Sequence, residues 1–147
     1  MRFLYLLLIF LILSISCAPS KKPLPFLPPG VELGATWAES KKHGYDEEVY
    51  ITPEFIAYPL KGNRSLLLDL RDSYTESVCE NGPSQLLLQY VISTEGSVIG
   101  VHPKQDINPT CKTHLTQTLK RIEFFSAEHS DKKVNMLMST MINDRRF

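Results

Sequence analysis

The stretch that decides the fold runs Ser84-Gln85-Leu86-Leu87-Leu88-Gln89-Tyr90-Val91-Ile92, then Ser93-Thr94-Glu95-Gly96, then Ser97-Val98-Ile99-Gly100-Val101-His102. In the first segment Leu86, Leu88, Tyr90 and Ile92 alternate with Leu87, Gln89 and Val91. A period of two marks a strand, and apolar residues on both faces mark one that is central in its sheet. Glu95-Gly96 makes a hairpin turn, because glycine accepts the positive φ that such turns require. Val98, Ile99 and Val101 form the partner strand, which Pro103 ends by removing a ladder donor.

The chain on either side of this hairpin carries further elements. Downstream, Asn108 is a helix N-cap and Pro109 fits the first helical position. Cys111, Leu115, Leu119 and Ile122 then fall on one apolar stripe, with Lys112, Gln117, Lys120 and Arg121 on the solvated side. Phe124-Phe125 turns the chain into the core, and residues 132–142 alternate as a last strand. Upstream, residues 65–80 have two readings. Leu66, Leu67, Leu70, Tyr74 and Val78 have helical spacing, with Ser65 as cap and Asn81-Gly82-Pro83 as stop. Alternatively residues 65–70 are a strand and the helix begins at Ser73, where Ser73 and Glu76 have capping-box spacing. Either reading places Cys79 in the last helical turn.

The first thirty residues point to export. Arg2 precedes the unbroken apolar run of residues 3–13, which is short for a membrane span but fits a signal segment over residues 1–16. Ser14-Ile15-Ser16-Cys17 places small residues before a cysteine, as in a loose lipobox, so Cys17 is the expected lipidation site and first mature residue. Residues 17–30 hold Pro19, Pro23, Pro25, Pro28 and Pro29, a tether that favours extended polyproline geometry. At about 3.1 Å per residue it would hold a domain roughly 30–40 Å off a membrane. With Cys17 acylated, two of the three cysteines remain, and in an oxidising compartment Cys79 and Cys111 can pair as a disulfide.

Residues 31–64 read as an irregular aromatic-rich arm with one short strand near Glu48-Val49-Tyr50-Ile51-Thr52. Trp37, Tyr45, Tyr50 and Phe55 are the candidate partner-binding residues. The competing reading has the arm wrap its own domain and bury Trp37 and Phe55, since large aromatics are usually at least partly buried.

Composition and motifs exclude several function classes. The 16 basic and 16 acidic residues become one basic residue fewer once the signal segment with Arg2 is removed, so nucleic-acid binding has no electrostatic support. The four histidines, His43, His102, His114 and His129, show no metal-ligand spacing, and no serine lies in a nucleophile-elbow motif. A Cys111–His114 pair would need a free thiol, which a disulfide removes. No catalytic residue, cofactor, metal or small-molecule substrate is expected.

From about Ser65 onward the chain resembles the TonB C-terminal domain superfamily, in its two-cysteine AgmX/PglI-type branch. The likeness rests on Cys79 at the end of the first helix, the hairpin of residues 90–101, Cys111 opening the next helix, and Phe125-Ser126-Ala127, similar to that family's Phe-Pro-Ala corner. The resemblance implies an α+β domain over residues 65–147: a small three-stranded antiparallel sheet with two helices on one face, tied by the disulfide. It also implies binding of another envelope protein by pairing an edge strand with an extended segment. Together these readings give a non-enzymatic, lipid-anchored protein-binding module of the bacterial cell envelope. It would sit at the outer membrane facing the periplasm, and the alternative is a constitutive subunit of a secretion or motility assembly.

Overall fold

A computed structural model describes residues 29–75 and 77–143. The signal segment, Cys17 and most of the tether lie outside the described residues. In chain order the elements are a 3₁₀ turn Ser40–His43, β1 Val49–Tyr50, β2 Tyr58–Pro59, α1 Asn63–Ser73, β3 Gln85–Ile92 and β4 Val98–Pro103. There follow α2 Pro109–Lys120, β5 Phe124–Phe125, β6 Ala127–His129 and β7 Lys132–Asn143.

The chain is α+β, but its sheet is not the small three-stranded antiparallel one expected from the sequence. Five strands form it, in the order β1-β7-β3-β4 with β6 also paired to β7, and β2 and β5 make a separate two-stranded ribbon. The sheet is mixed, because β1 runs parallel to β7, with Val49 opposite Asn135 and Tyr50 opposite Met136. The extra strands come from the arm and from residues 124–129. These segments are only two or three residues long and carry too little alternation to show a period.

β3 is the centre. It pairs antiparallel with β7 from Gln85↔Asn143 to Ile92↔Met136 and with β4 on its other side. Leu86, Leu88, Tyr90 and Ile92 are fully buried and join one apolar cluster with Leu66 and Leu70 of α1 and Leu115 and Leu119 of α2. Both helices therefore cover this face. Val91 points to the opposite face by strand alternation, is also fully buried, and lies outside that cluster, as does Val49 of the arm. The arm thus covers part of the face that the helices leave open.

Two local details differ from expectation. Helix α1 starts at Asn63 after Gly62, not at Ser65, and stops at Ser73. Tyr74 leaves helical geometry (φ −93°, ψ 69°), its ring is buried, and its hydroxyl donates to the Pro83 carbonyl at 2.7 Å. Cys79 accordingly lies in the turns after the helix rather than in its last turn. Helix α2 begins as the sequence suggests, with the Asn108 side chain accepting from the Cys111 N–H at 2.7 Å and Pro109 in the first turn.

Cys79 and Cys111 form a disulfide, their Cα atoms 4.7 Å apart and both side chains buried. It ties the segment after α1 to the first turn of α2. Gly96 closes the β3–β4 turn at φ +78°, and a Cβ there would run into the Phe124 carbonyl oxygen. That carbonyl's residue also donates its N–H to Gly96 O at 3.0 Å, so the hairpin tip is sutured to β5.

Replacing both Cys79 and Cys111 by alanine should cost roughly 3–4 kcal/mol, from a bridge spanning 32 residues, read as a lower urea midpoint. Gly96→Ala should cost about 1–3 kcal/mol, because it forces a side chain into a left-handed position.

Candidate functional site: the β7 edge and the aromatic arm

The two edges of the sheet differ. β7 gives its inner side to β3 along its length from Met136 to Asn143. β6 pairs with Lys132, Lys133 and Val134 on that same side, beyond the end of β3, and β1 takes the outer side at Asn135 and Met136. From residue 137 to residue 143, no strand among the described residues pairs with that outer side. This stretch has no proline or lysine to blunt it. Ile142 is anchored in the core and Met138 packs against it, while Met141 is 46 % exposed and Ser139 is exposed. A rigidly held strand with open backbone donors and acceptors can add an extended segment of another chain. β4, at the opposite edge, is shorter, is bulged against Val91 and Ile92, and ends in Pro103. Those features work against strand addition there.

The arm's aromatics are held at three places. Trp37 stacks on His43 with ring centroids 4.6 Å apart, and lies 5.7 Å from the His102 ring. His43 and His102 are 4.9 Å apart. The Tyr45 hydroxyl meets His102 Nε2 at 2.9 Å. Local chain chemistry builds this cluster. Gly44 closes the 3₁₀ turn in the left-handed region, which lets the Tyr45 N–H bond back to the Ser40 carbonyl at 3.1 Å. On β4, Gly100 leaves the space that the Tyr45 hydroxyl fills, since a Cβ there would overlap it. Burial pushes the Tyr45 phenol up. The His102 imidazole is held below its usual range, first by burial and then by the charges of His43, Lys112 and Lys104.

Tyr50 sits elsewhere, its ring 5.1 Å from that of His129 on β6. Gly34 presses on the same imidazole so closely that a Cβ would come within 2.9 Å of Nε2. His129 Nδ1 lies 4.0 Å from Glu54 Oε1. Phe55 is in an antiparallel bridge to Glu128, the two exchanging N–H to carbonyl bonds of 2.9 Å each. The four residues chosen from sequence therefore do not form one surface. Trp37 and Tyr45 come together, Tyr50 and Phe55 lie apart from them, and all four are half-buried against the domain.

Among the described residues the freely exposed aromatics are two others. Tyr58 and Phe125 are cross-strand partners in the β2–β5 ribbon, 45 % and 62 % exposed, near Ile56 and Leu60, themselves about half exposed. Of the Phe124-Phe125 pair expected to turn the chain into the core, Phe124 is buried and Phe125 faces solvent. The signal was present, because neighbouring residues on a strand point to opposite faces.

Cys111 is disulfide-bonded and His114 beside it is exposed. A groove of about 530 Å³ between α1 and α2 is lined by Asp69, Asp72, Ser73, Thr118 and Arg121 among others, with Ser73 and Thr118 hydroxyls bonded at 2.7 Å. Among the described residues no group of three or more His, Cys, Asp or Glu could hold a metal, and no helix is long and apolar enough to cross a membrane.

The Phe124–Phe125 assignment is checked by a pair of variants. Phe124→Ala should cost about 3–5 kcal/mol, whereas Phe125→Ser should change stability by no more than about 0.5 kcal/mol, both by urea denaturation.

Comparison with protein-family models, with curated proteins and with solved structures finds no match to this chain.

Proposed function

We propose that this chain is a non-enzymatic, lipid-anchored protein-binding module of the bacterial cell envelope. Its partner adds an extended segment to the outer edge of β7 over residues 137–143. The observation that carries this reading is that unpaired stretch, held straight by β3 on its inner side. The expected signal segment, Cys17 and the proline-rich tether supply the anchor and reach. The buried Cys79–Cys111 disulfide fits an oxidising compartment. The outer membrane, with the domain facing the periplasm, is the proposed location.

A second reading, a constitutive subunit of an envelope secretion or motility assembly, draws on the ribbon. Ile56, Tyr58, Leu60 and Phe125 expose apolar surface that a permanent neighbour would cover. Under that reading the chain purifies with its neighbour at a fixed ratio, and Phe125→Ser releases it.

A photo-crosslinking residue placed in cells at Ser139 or Met141 distinguishes these readings. Strand addition predicts one protein crosslinked from β7 positions, none from Lys120 on α2, and loss of the product when Leu137→Lys is added to blunt the edge. Equal products from Lys120 and Met141, or a product indifferent to Leu137→Lys, would refute the β7 edge as the partner site.

A further inference from the structure

The arm segment 34–52 is fastened to the sheet at few points. β1 contributes two residues of parallel pairing to β7. Asn135, buried on β7, donates to Glu47 Oε2 at 3.0 Å while its own oxygen accepts from the Thr94 N–H. Gly34 and Tyr50 also lie against His129 of β6, and the far end of the segment is held by the cluster of Trp37, His43 and Tyr45 against His102, seated in the space that Gly100 leaves. Beyond Thr52 the chain is held again, by the Phe55–Glu128 bridge.

We propose that segment 34–52 is a proton-released latch. It is clasped at His102 near neutral pH and let go in mild acid, and its position sets whether Asn135 and Met136 are available on the outer side of β7. This deepens the function proposed above, and its effect on binding rests on that reading.

The charges around the clasp share one sign. His102 faces His43 from the 3₁₀ turn, Lys104 from the chain just after β4, and Lys112 from α2; the Tyr45 hydroxyl is neutral. Glu39 lies nearest to His43 and Lys42 and answers part of their charge, not that of His102. Protonating His102 therefore adds a cation to a half-buried place already facing Lys104, Lys112 and a second imidazole, that of His43. The imidazole is depressed while the latch is closed and returns to its ordinary value when it opens. Closure is fully favoured above about pH 6.5 and is lost as pH falls through the depressed value. Acid thus loosens the clasp.

If the latch opens, Val49 and Tyr50 leave β7, and Asn135 and Met136 join the unpaired stretch. The chain carries its own reporter, since Trp37 is its single tryptophan and stacks on His43.

The test is residue-level amide hydrogen exchange on the mature, disulfide-intact chain at about pH 7.5 and about pH 5, corrected for intrinsic exchange, with Trp37 emission followed in parallel. The latch predicts that amides of residues 45–51 and 135–136 lose protection in acid while those of β3 and α2 keep it. His102→Gln, which keeps a neutral polar group, should hold the arm protected at both pH values. Gly100→Val, or Tyr45→Ala should that variant not fold, should leave the arm unprotected at both. Unchanged arm protection in acid, or equal loss in His102→Gln, would overturn the latch. A latch that opens on schedule without altering crosslinking at Met141 would leave the latch standing and count against the β7 binding reading instead.

Discussion

The antiparallel ladder between β3 and β7 is the constraint on which the rest depends. Eight residue pairs, Gln85↔Asn143 through Ile92↔Met136, fix both strands in one register. A slip of one residue would turn Leu86, Leu88, Tyr90 and Ile92 away from the helices, so the core itself enforces the register. The same ladder decides which side of β7 is left over. Its inner side is used by β3 and, beyond the end of β3, by β6, and its outer side is divided between β1 and an unpaired remainder. The proposed site is thus a by-product of how the core is closed.

The helices sit on this ladder as a stapled pair. The disulfide joins the end of the α1 segment to the start of α2, and the Ser73 and Thr118 hydroxyls bond between the helices themselves. A small domain gains from such a cross-link, because its apolar core alone offsets chain entropy only narrowly. Among the described residues no helix covers the other face, and the arm, with its own Val49 buried, takes that place over Val91. Its fastening is polar and aromatic rather than purely apolar, with Asn135, Glu47, Tyr45 and His102 each using a defined hydrogen bond. Contacts of that kind hold position well and respond to charge, which apolar burial does not.

What could be read from the sequence follows a physical dividing line. β3, β4, α2 and β7 are long enough to show a period, and the Asn108-Pro109 start of α2 has a specific capping chemistry. Those elements were legible, as was the Cys79–Cys111 pairing once Cys17 was set aside for lipid. The short strands β1, β2, β5 and β6 were not, because their pairing depends on residues far along the chain: Val49 meets Asn135, and Tyr58 meets Phe125. The β6–β7 hairpin was also hidden, since Ser130 and Asp131 take positive φ without a glycine to announce it. Of the two readings of residues 65–80, the single helix overruns and the strand-then-helix one misplaces the helix, because the end of α1 is set by the reach of the Tyr74 hydroxyl to Pro83, a tertiary contact. At the candidate site, Trp37 and Tyr45 stood out as aromatics. Their partners His43 and His102 looked scattered, and nothing in the local sequence marked Gly100 as the floor beneath Tyr45.

The central claim is that the outer side of β7 is open over residues 137–143. Residue-resolved hydrogen exchange on the mature chain, free of any partner, measures this directly. The account predicts alternation along the strand: amides bonded to β3 exchange slowly, and the intervening ones exchange quickly up to Asn143. Uniformly slow exchange through the whole stretch would mean that another part of the chain already occupies the edge, and strand addition would have no place to occur.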